Sequence, residues 1–259
     1  MDLQLSNRHA LVLGASQGLG LAVARALLAE GALVTLSARS AERLEAARAA
    51  LPGDMAKRCR LAPAELGTAG AVEAILSALE GSVDILVNNT GGPPPGTASD
   101  VSAAALLAEF DRMVAPVIAL TTALLPAMRA RKWGRILTIA SSGVVQPIPH
   151  LPLSNTLRSS LVGFMKTLAG EVAADGVTVN MLLPGRIATS RVASLDEAAA
   201  RRSSRSVEDV ARDAAASIPA GRYGTAEEFG AIAAFFAGAP ASYVTGSLIR
   251  IDGGIIRSI

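Results

Sequence analysis

The 259 residues, 51% hydrophobic and 18% charged, suit one soluble globular domain with a large core. The 24 basic and 22 acidic residues leave only +2, too small an excess to point to a nucleic-acid partner even at a pI near 9.0. A single cysteine, Cys59, excludes an intramolecular disulfide and a multi-cysteine metal site, and two histidines, His9 and His150, leave little for zinc, so no metal is expected.

In chain order, short apolar runs alternate with helical stretches. The run 9–14 (HALVLG) reads as a strand, and 18–30 then shows helical periodicity up to Gly31. This opening faintly mimics a signal peptide, but Arg25 interrupts it. A strand is expected over 32–38, an Ala/Arg/Glu-rich helix over 40–51 and a weak strand over 57–62. A helix over 68–80 precedes a buried strand at 84–89. The stiff loop 90–96 (TGGPPPG) leads to two helices, about 101–112 and 114–131. Within them 113–128 comes nearest to a membrane span, but two prolines and two threonines interrupt it. No apolar run reaches the roughly 18 residues that a spanning helix needs, so a cytoplasmic protein with no membrane partner is expected.

A strand at 134–141, a helix at 153–174 and a strand at 177–183 follow. The insertion 190–217 is mostly helical and rich in Ala, Ser and charge; its basic knot, 201–205, reads as a solvated loop. A helix over 225–238 and a strand over 247–252 close the chain. Strands apolar on both faces and separated by helices predict a parallel sheet covered on both sides. The expected fold is α/β: a single doubly wound Rossmann domain over 1–259, with about seven parallel strands and helices on both faces.

Gly14-Ala15-Ser16-Gln17-Gly18-Leu19-Gly20 lies between the first strand and the first helix. Glycines there permit a tight turn and let a pyrophosphate approach the backbone at the positive end of a helix. Loose glycine turns also occur without nucleotides. However, Asn88-Asn89-Thr90-Gly91 ends the fourth strand, Pro184-Gly185 ends the sixth with Thr189 shortly after, and YVTG and IRIDGG lie within 243–254. Together these resemble the short-chain dehydrogenase/reductase family over essentially the whole chain, and most of all its 3-oxoacyl-acyl-carrier-protein reductase-like members.

The resemblance implies a nicotinamide dinucleotide held by Gly14, Ser16, Gln17, Gly18, Leu19 and Gly20, by Asn89 and Gly91, and by Pro184, Gly185, Ile187 and Thr189. Glu65 and Leu66 fall where the family surrounds the adenine, and Thr90 replaces its usual alanine. NAD-preferring members place an acidic residue at the end of the second strand; this chain has Ser37-Ala38-Arg39. Ala38 removes the charge that would repel a 2′-phosphate, and Arg39 can grip one bidentately, so NADP(H) is expected over NAD. The alternative is that Arg39 merely decorates the next helix.

The family's chemistry uses a serine to polarise the carbonyl, a tyrosine to deliver the proton, a lysine to hold the ribose and lower the tyrosine pKa, and an upstream asparagine. Ser141 matches the serine. The family's spacing then reaches Ser154 where tyrosine is expected and Arg158 where lysine is expected, and Met113 falls at the asparagine. The Gly91–Gly96 loop and Ser154-Asn155-Thr156-Leu157-Arg158 look like those of a reductase-like subgroup. Arg158 lies one turn from Ser154 on the same face, and can donate to the cofactor's ribose or to a carbonyl oxygen. The expected catalytic set is therefore Ser141, Ser154 and Arg158, with water or His150 as proton source; His150 otherwise reads as structural or exposed. Lys166 reads as a surface or interface residue, and the role of Asn155 is open.

The first expectation is an atypical NADP(H)-dependent reductase of a carbonyl compound in a mostly apolar pocket, with 190–217 as its lid. The alternative is a nucleotide-binding or scaffold protein on the same fold, with little turnover. A lyase or isomerase that kept the pocket is a third option. The resemblance also implies a homo-oligomer, expected as a tetramer. No diagnostic charge in 143–153 identifies the substrate.

Overall fold

The computed structural model describes residues 1–258. The first half runs β1 (His9–Leu13), α1 (Gly18–Ala29), β2 (Leu33–Ala38), α2 (Ala41–Ala49), α3 (Gly53–Lys57), β3 (Cys59–Pro63), α4 (Ala71–Ser77) and β4 (Ile85–Asn88). The second half runs α5 (Ala103–Met113), α6 (Ala115–Ala130), β5 (Gly134–Ile139), α7 (Pro152–Val172) and β6 (Val177–Pro184). It ends with α8 (Ser190–Ser203), α9 (Val207–Ala216), α10 (Ala226–Ala237) and β7 (Leu248–Ile251).

All seven strands are parallel, in the order β3-β2-β1-β4-β5-β6-β7. Successive strand residues point to opposite faces, and here both faces are apolar. Ala10 and Val12 of β1 enter one core with Val23, Leu27 and Leu28 of α1, Leu44 of α2 and Phe229 of α10. Leu11 and Leu13 enter the other, with Val117 and Leu120 of α6 and Leu157, Leu161 and Met165 of α7. Two helical layers thus enclose the sheet. The strand order reverses between β1 and β4, which opens a crevice at their carboxyl ends.

The expected elements are all present, with three differences at their edges. The segment before β3 forms the short helix α3, which takes in Lys57, so the strand expected from 57 begins at Cys59. The helix expected over 68–80 shrinks to Ala71–Ser77, because Gly67 and Gly70 take positive φ and hold the chain out of the helix before it. The insertion 190–217 is two helices, broken where Ser204 takes φ 53° and restarted by Ser206, whose side chain accepts from the Asp209 N–H.

By length and a mean hydropathy of 1.6, Ala103–Ala130 would pass as a membrane crossing. In the fold it is two helices meeting at Val114, and Met113, Val117, Leu120 and Met128 pack into the second core. His9 is a core residue: its Nε2 lies 2.8 Å from Thr35 Oγ1, and burial lowers its pKa.

Candidate functional site

The turn between β1 and α1 is shaped by what cannot fit there. Gly14 has φ 59°, a conformation that residues with a Cβ rarely adopt. A Cβ on Gly20 would lie 2.4 Å from the Gly14 carbonyl oxygen, so the helix approaches the turn only because that atom is missing. Asn89 Nδ2 donates to the same carbonyl at 3.2 Å and ties the end of β4 to the turn. The N-cap of α1, Gln17, makes no side-chain cap bond, so the first N–H groups of this helix stay available to an anion at its positive end.

These groups open onto a cavity of about 920 Å³ at the carboxyl edge of the sheet. Gly14, Ser16, Gln17, Gly18 and Leu19 form one part of its wall, and Asn89, Thr90 and Gly91 the floor at the end of β4. Arg39, Glu65 and Leu66 line the far end beside Ser37 and Ala38. Arg39 is exposed and has no ion pair among the described residues. Pro184, Gly185, Ile187 and Thr189 line the side that follows β6.

Ser141, Ser154, Arg158 and Met113 line the opposite end of the same cavity. Ser141 caps a short turn after β5, where its Oγ accepts from the Gly143 N–H at 3.0 Å. Ser154 is buried in the first turn of α7. Arg158 is buried one turn on and is held by backbone carbonyls: Nη1 donates to Ile139 O at 3.0 Å, and Nη2 reaches Thr90 O and Gly91 O at 3.4 Å. Burial, and then the charge of Arg191, push its pKa down to about 10, which leaves it protonated at neutral pH. Met113 is 2% exposed and presents a thioether that accepts hydrogen bonds only weakly. No Tyr, Lys or His lines this cavity among the described residues.

Sequence reasoning missed three arginines of the wall, Arg112, Arg186 and Arg191. Arg191 sits in the first turn of α8, and its Nη2 donates to Pro93 O at 2.8 Å across the mouth. Its signal was available: a cation two residues after Thr189, where the chain leaves the carboxyl edge. Arg186 pairs with the buried Asp196 of α8, which also accepts from Tyr223 OH at 2.9 Å, and this anchors the insertion to the body. Ser190, Arg191, Val192, Ser194 and Leu195 of α8 and Ser217 after α9 face the cavity, so the segment 190–217 borders it at both ends.

Four expected or considered residues lie off the wall. Gly20 packs beneath the turn against Gly14 rather than on the surface a ligand would touch. His150 is exposed with φ 63°, and its carbonyl accepts from the Gly96 N–H at 2.9 Å, which makes it a turn residue and not a wall residue. Lys166 donates from Nζ to Gly246 O at 2.9 Å, at the exposed side of α7. Asn155 braces the loop behind Ser141: Oδ1 accepts from Ile148 N–H at 3.2 Å and Nδ2 donates to Ile148 O at 3.0 Å.

Residues 8–200 match the family described as short chain dehydrogenase. Nodulation protein G of Rhizobium sp. (strain N33) is 36% identical over 97% of this chain and 98% of its own. The 3-oxoacyl-acyl-carrier-protein reductase FabG of Salmonella typhimurium is 32% identical over 98% of this chain and 99% of its own. Among solved structures, L-sorbose reductase from Gluconobacter frateurii, complexed with NADPH and L-sorbose, superposes with a TM-score of 0.93 at 30% identity over the whole of both chains.

Proposed function

The chain belongs to the short-chain dehydrogenase family, and from that membership we propose an NADP(H)-dependent oxidoreductase that interconverts a carbonyl compound and its alcohol with serine and arginine in place of the family's tyrosine and lysine. The observation that carries this reading is one continuous cavity joining the glycine turn and Arg39 to Ser141, Ser154 and Arg158. The wall suits the cofactor. Gly14 and Gly20 leave the backbone approach that a Cβ would fill, the first turn of α1 is uncapped, and Arg39, without an ion pair among the described residues, follows Ala38 at the end of β2, where the strand itself carries no acid. An NADPH-dependent reductase of Bacillus subtilis among the relatives, and the L-sorbose reductase solved with NADPH, support the same cofactor.

A bound NADPH supplies the hydride. Ser141 Oγ accepts from Gly143, so its own O–H is available to polarise the carbonyl oxygen. Ser154 adds a second hydroxyl, and Arg158 supplies positive charge where negative charge develops, inside a wall that strengthens it. An aliphatic alcohol is a far weaker acid than a phenol of pKa about 10, and a guanidinium does not relay protons. Water at the cavity therefore supplies the proton. Positioned proton transfer contributes roughly 10²–10⁴-fold, so rates on generic ketones fall short of a full-set member by that order.

The bare wall also favours a second reading, a nucleotide-binding protein with little turnover, since no Tyr, Lys or His lines it among the described residues. NADPH oxidation with a carbonyl panel, run beside calorimetric NADPH titration, separates the two. Binding with turnover supports the reductase, binding without turnover supports the second reading, and no binding removes the cofactor assignment.

Segment 190–217 acts in this proposal as the lid, and hydrogen exchange within it slows when NADPH is added. The assembly is a homo-oligomer, a tetramer by family resemblance. Its support is Leu107 at 63% exposure on α5 and the half-buried Ile118, Leu124, Leu125 and Phe164 of α6 and α7. Sedimentation as a 26.3 kDa monomer at micromolar concentration would refute it.

A further inference from the structure

The cavity has more arginine than a dinucleotide phosphate accounts for. Among the described residues five arginines line it against one acid, Glu65. Arg112 is paired with Glu109 at 2.8 Å and Arg186 with Asp196, and Arg39 stands at the end assigned to the 2′-phosphate. Arg158 and Arg191 remain: Arg158 lies one turn from Ser154, and Arg191 meets at Pro93 the same loop that Arg158 bonds at Thr90 and Gly91. Neither has a carboxylate within ion-pair distance among the described residues.

Both grip the same loop, from different helices. Arg158 reaches the Thr90 and Gly91 carbonyls from α7, and Arg191 donates to the Pro93 carbonyl from α8. Gly92 lies between them, and a Cβ there would come within 2.9 Å of Arg191 Nη2. The two cations are close enough for Arg191 to depress the pKa of Arg158. Two like charges with no counterion, in a walled site, repel each other and concentrate anions. A guanidinium presents more N–H donors than the one bond to Pro93 uses, in a fork that matches an oxyanion.

We infer that the substrate is an anionic carbonyl compound whose carboxylate is held by Arg191 on the first turn of α8, with Arg158 adding charge from the floor, while Ser141 and Ser154 meet the carbonyl. This rests on the oxidoreductase reading, and it makes the lid part of the substrate site. Val192, Leu195, Ile148 and Leu151 line the cavity around this end and take the apolar remainder of the substrate.

The test pairs each acid with an uncharged form of nearly the same shape. Pyruvate, acetoacetate and levulinate vary the spacing from carbonyl to carboxylate, and each is compared with its methyl ester. Dihydroxyacetone phosphate is the phosphate arm. Each is titrated calorimetrically into the full chain saturated with NADP, and assayed for NADPH oxidation. At least one acid binds roughly tenfold or more tightly than its ester, the size of effect expected of a charged hydrogen bond. Arg191→Ala removes that preference, leaves the ester unchanged and leaves NADPH affinity within about twofold, while Arg191→Lys restores part of it.

Equal binding of acid and ester, or binding of neither, overturns the inference. So does a preference for the phosphate, or a loss in Arg191→Ala that falls equally on acid, ester and NADPH, as a purely structural staple would give. Arg191-dependent binding of an acid without any NADPH oxidation leaves the anion site standing and removes the oxidoreductase reading instead.

Discussion

The two ends of the cavity are built from different materials. At the glycine turn the constraint is backbone against backbone: Gly14 at φ 59°, Gly20 over the Gly14 carbonyl, and Asn89 bonded to that carbonyl. At the serine–arginine end it is side chain against backbone: Arg158 on three carbonyls, Asn155 on the N–H and the carbonyl of Ile148, and Arg191 on Pro93. A backbone constraint admits almost one residue type. A side-chain constraint admits any residue that can satisfy the same carbonyls, so chemistry can be exchanged at that end while the fold around it stays.

The largest expected effect strikes the backbone-built end. Gly20→Val places a branched side chain where even a Cβ lies 2.4 Å from the Gly14 oxygen. The neighbour is backbone and has little room to yield. Overpacking of this kind costs roughly 1–3 kcal/mol, and the turn must open to relieve it, so NADPH binding falls below detection in a calorimetric titration. Unchanged affinity with unchanged melting temperature would place the cofactor elsewhere.

The second effect strikes the other end. On the proposed reading Ser154→Tyr with Arg158→Lys rebuilds the family's pair, but one ammonium cannot serve Ile139 O, Thr90 O and Gly91 O from a single position as the guanidinium does. A buried carbonyl left unpaired costs about 1–3 kcal/mol, and 1 kcal/mol moves the melting temperature by about 2–4 °C in a chain of this size class. The double variant melts several degrees lower and gains no activity on generic ketones. A gain of tenfold or more without loss of stability would show a decayed reductase rather than a refitted pocket, and would erase the contrast between the two ends.

A smaller effect sharpens the cofactor side. Arg39→Ala weakens NADPH at least several-fold and leaves NADH nearly unaffected, since an exposed guanidinium with no ion pair among the described residues can act only on what reaches it. Equal losses for both cofactors, read by calorimetry, would leave Arg39 as decoration on α2.

The same contrast explains what sequence alone could show. The sheet was readable because Leu11 and Leu13 serve one core and Ala10 and Val12 the other, a two-sided apolar pattern that only a covered parallel sheet needs. The glycine turn was readable because glycine spacing records backbone geometry. Arg191 offered only its place two residues after Thr189; its partner was hidden, because it reaches the site from a helix of the insertion and meets Pro93 across 98 residues of chain. The role of Asn155 was hidden for a related reason. Its partner lies seven residues back, in a loop whose path no periodicity describes.

Asn155 provides the finest test of that distinction. Its two bonds to Ile148 hold the loop that runs from Ser141 to Leu151, and its Oδ1 lies where a Cβ on Gly143 would come within 2.5 Å. It touches neither the glycine turn nor the Arg158 carbonyls, so its loss is felt only at the serine end. Asn155→Ala leaves NADPH affinity within about twofold, lowers the melting temperature by a few degrees for the roughly 1 kcal/mol of each lost bond, and lowers kcat several-fold as Ser141 loses its fixed aim. Asn155→Asp is the sharper variant, because a carboxylate still accepts from the Ile148 N–H but no longer donates to the Ile148 carbonyl. It should fall between wild type and Asn155→Ala in both melting temperature and kcat. If Asn155→Ala instead weakens NADPH as much as it lowers turnover, the two ends are mechanically coupled through this loop, and the division between a backbone-built half and a side-chain-built half does not hold.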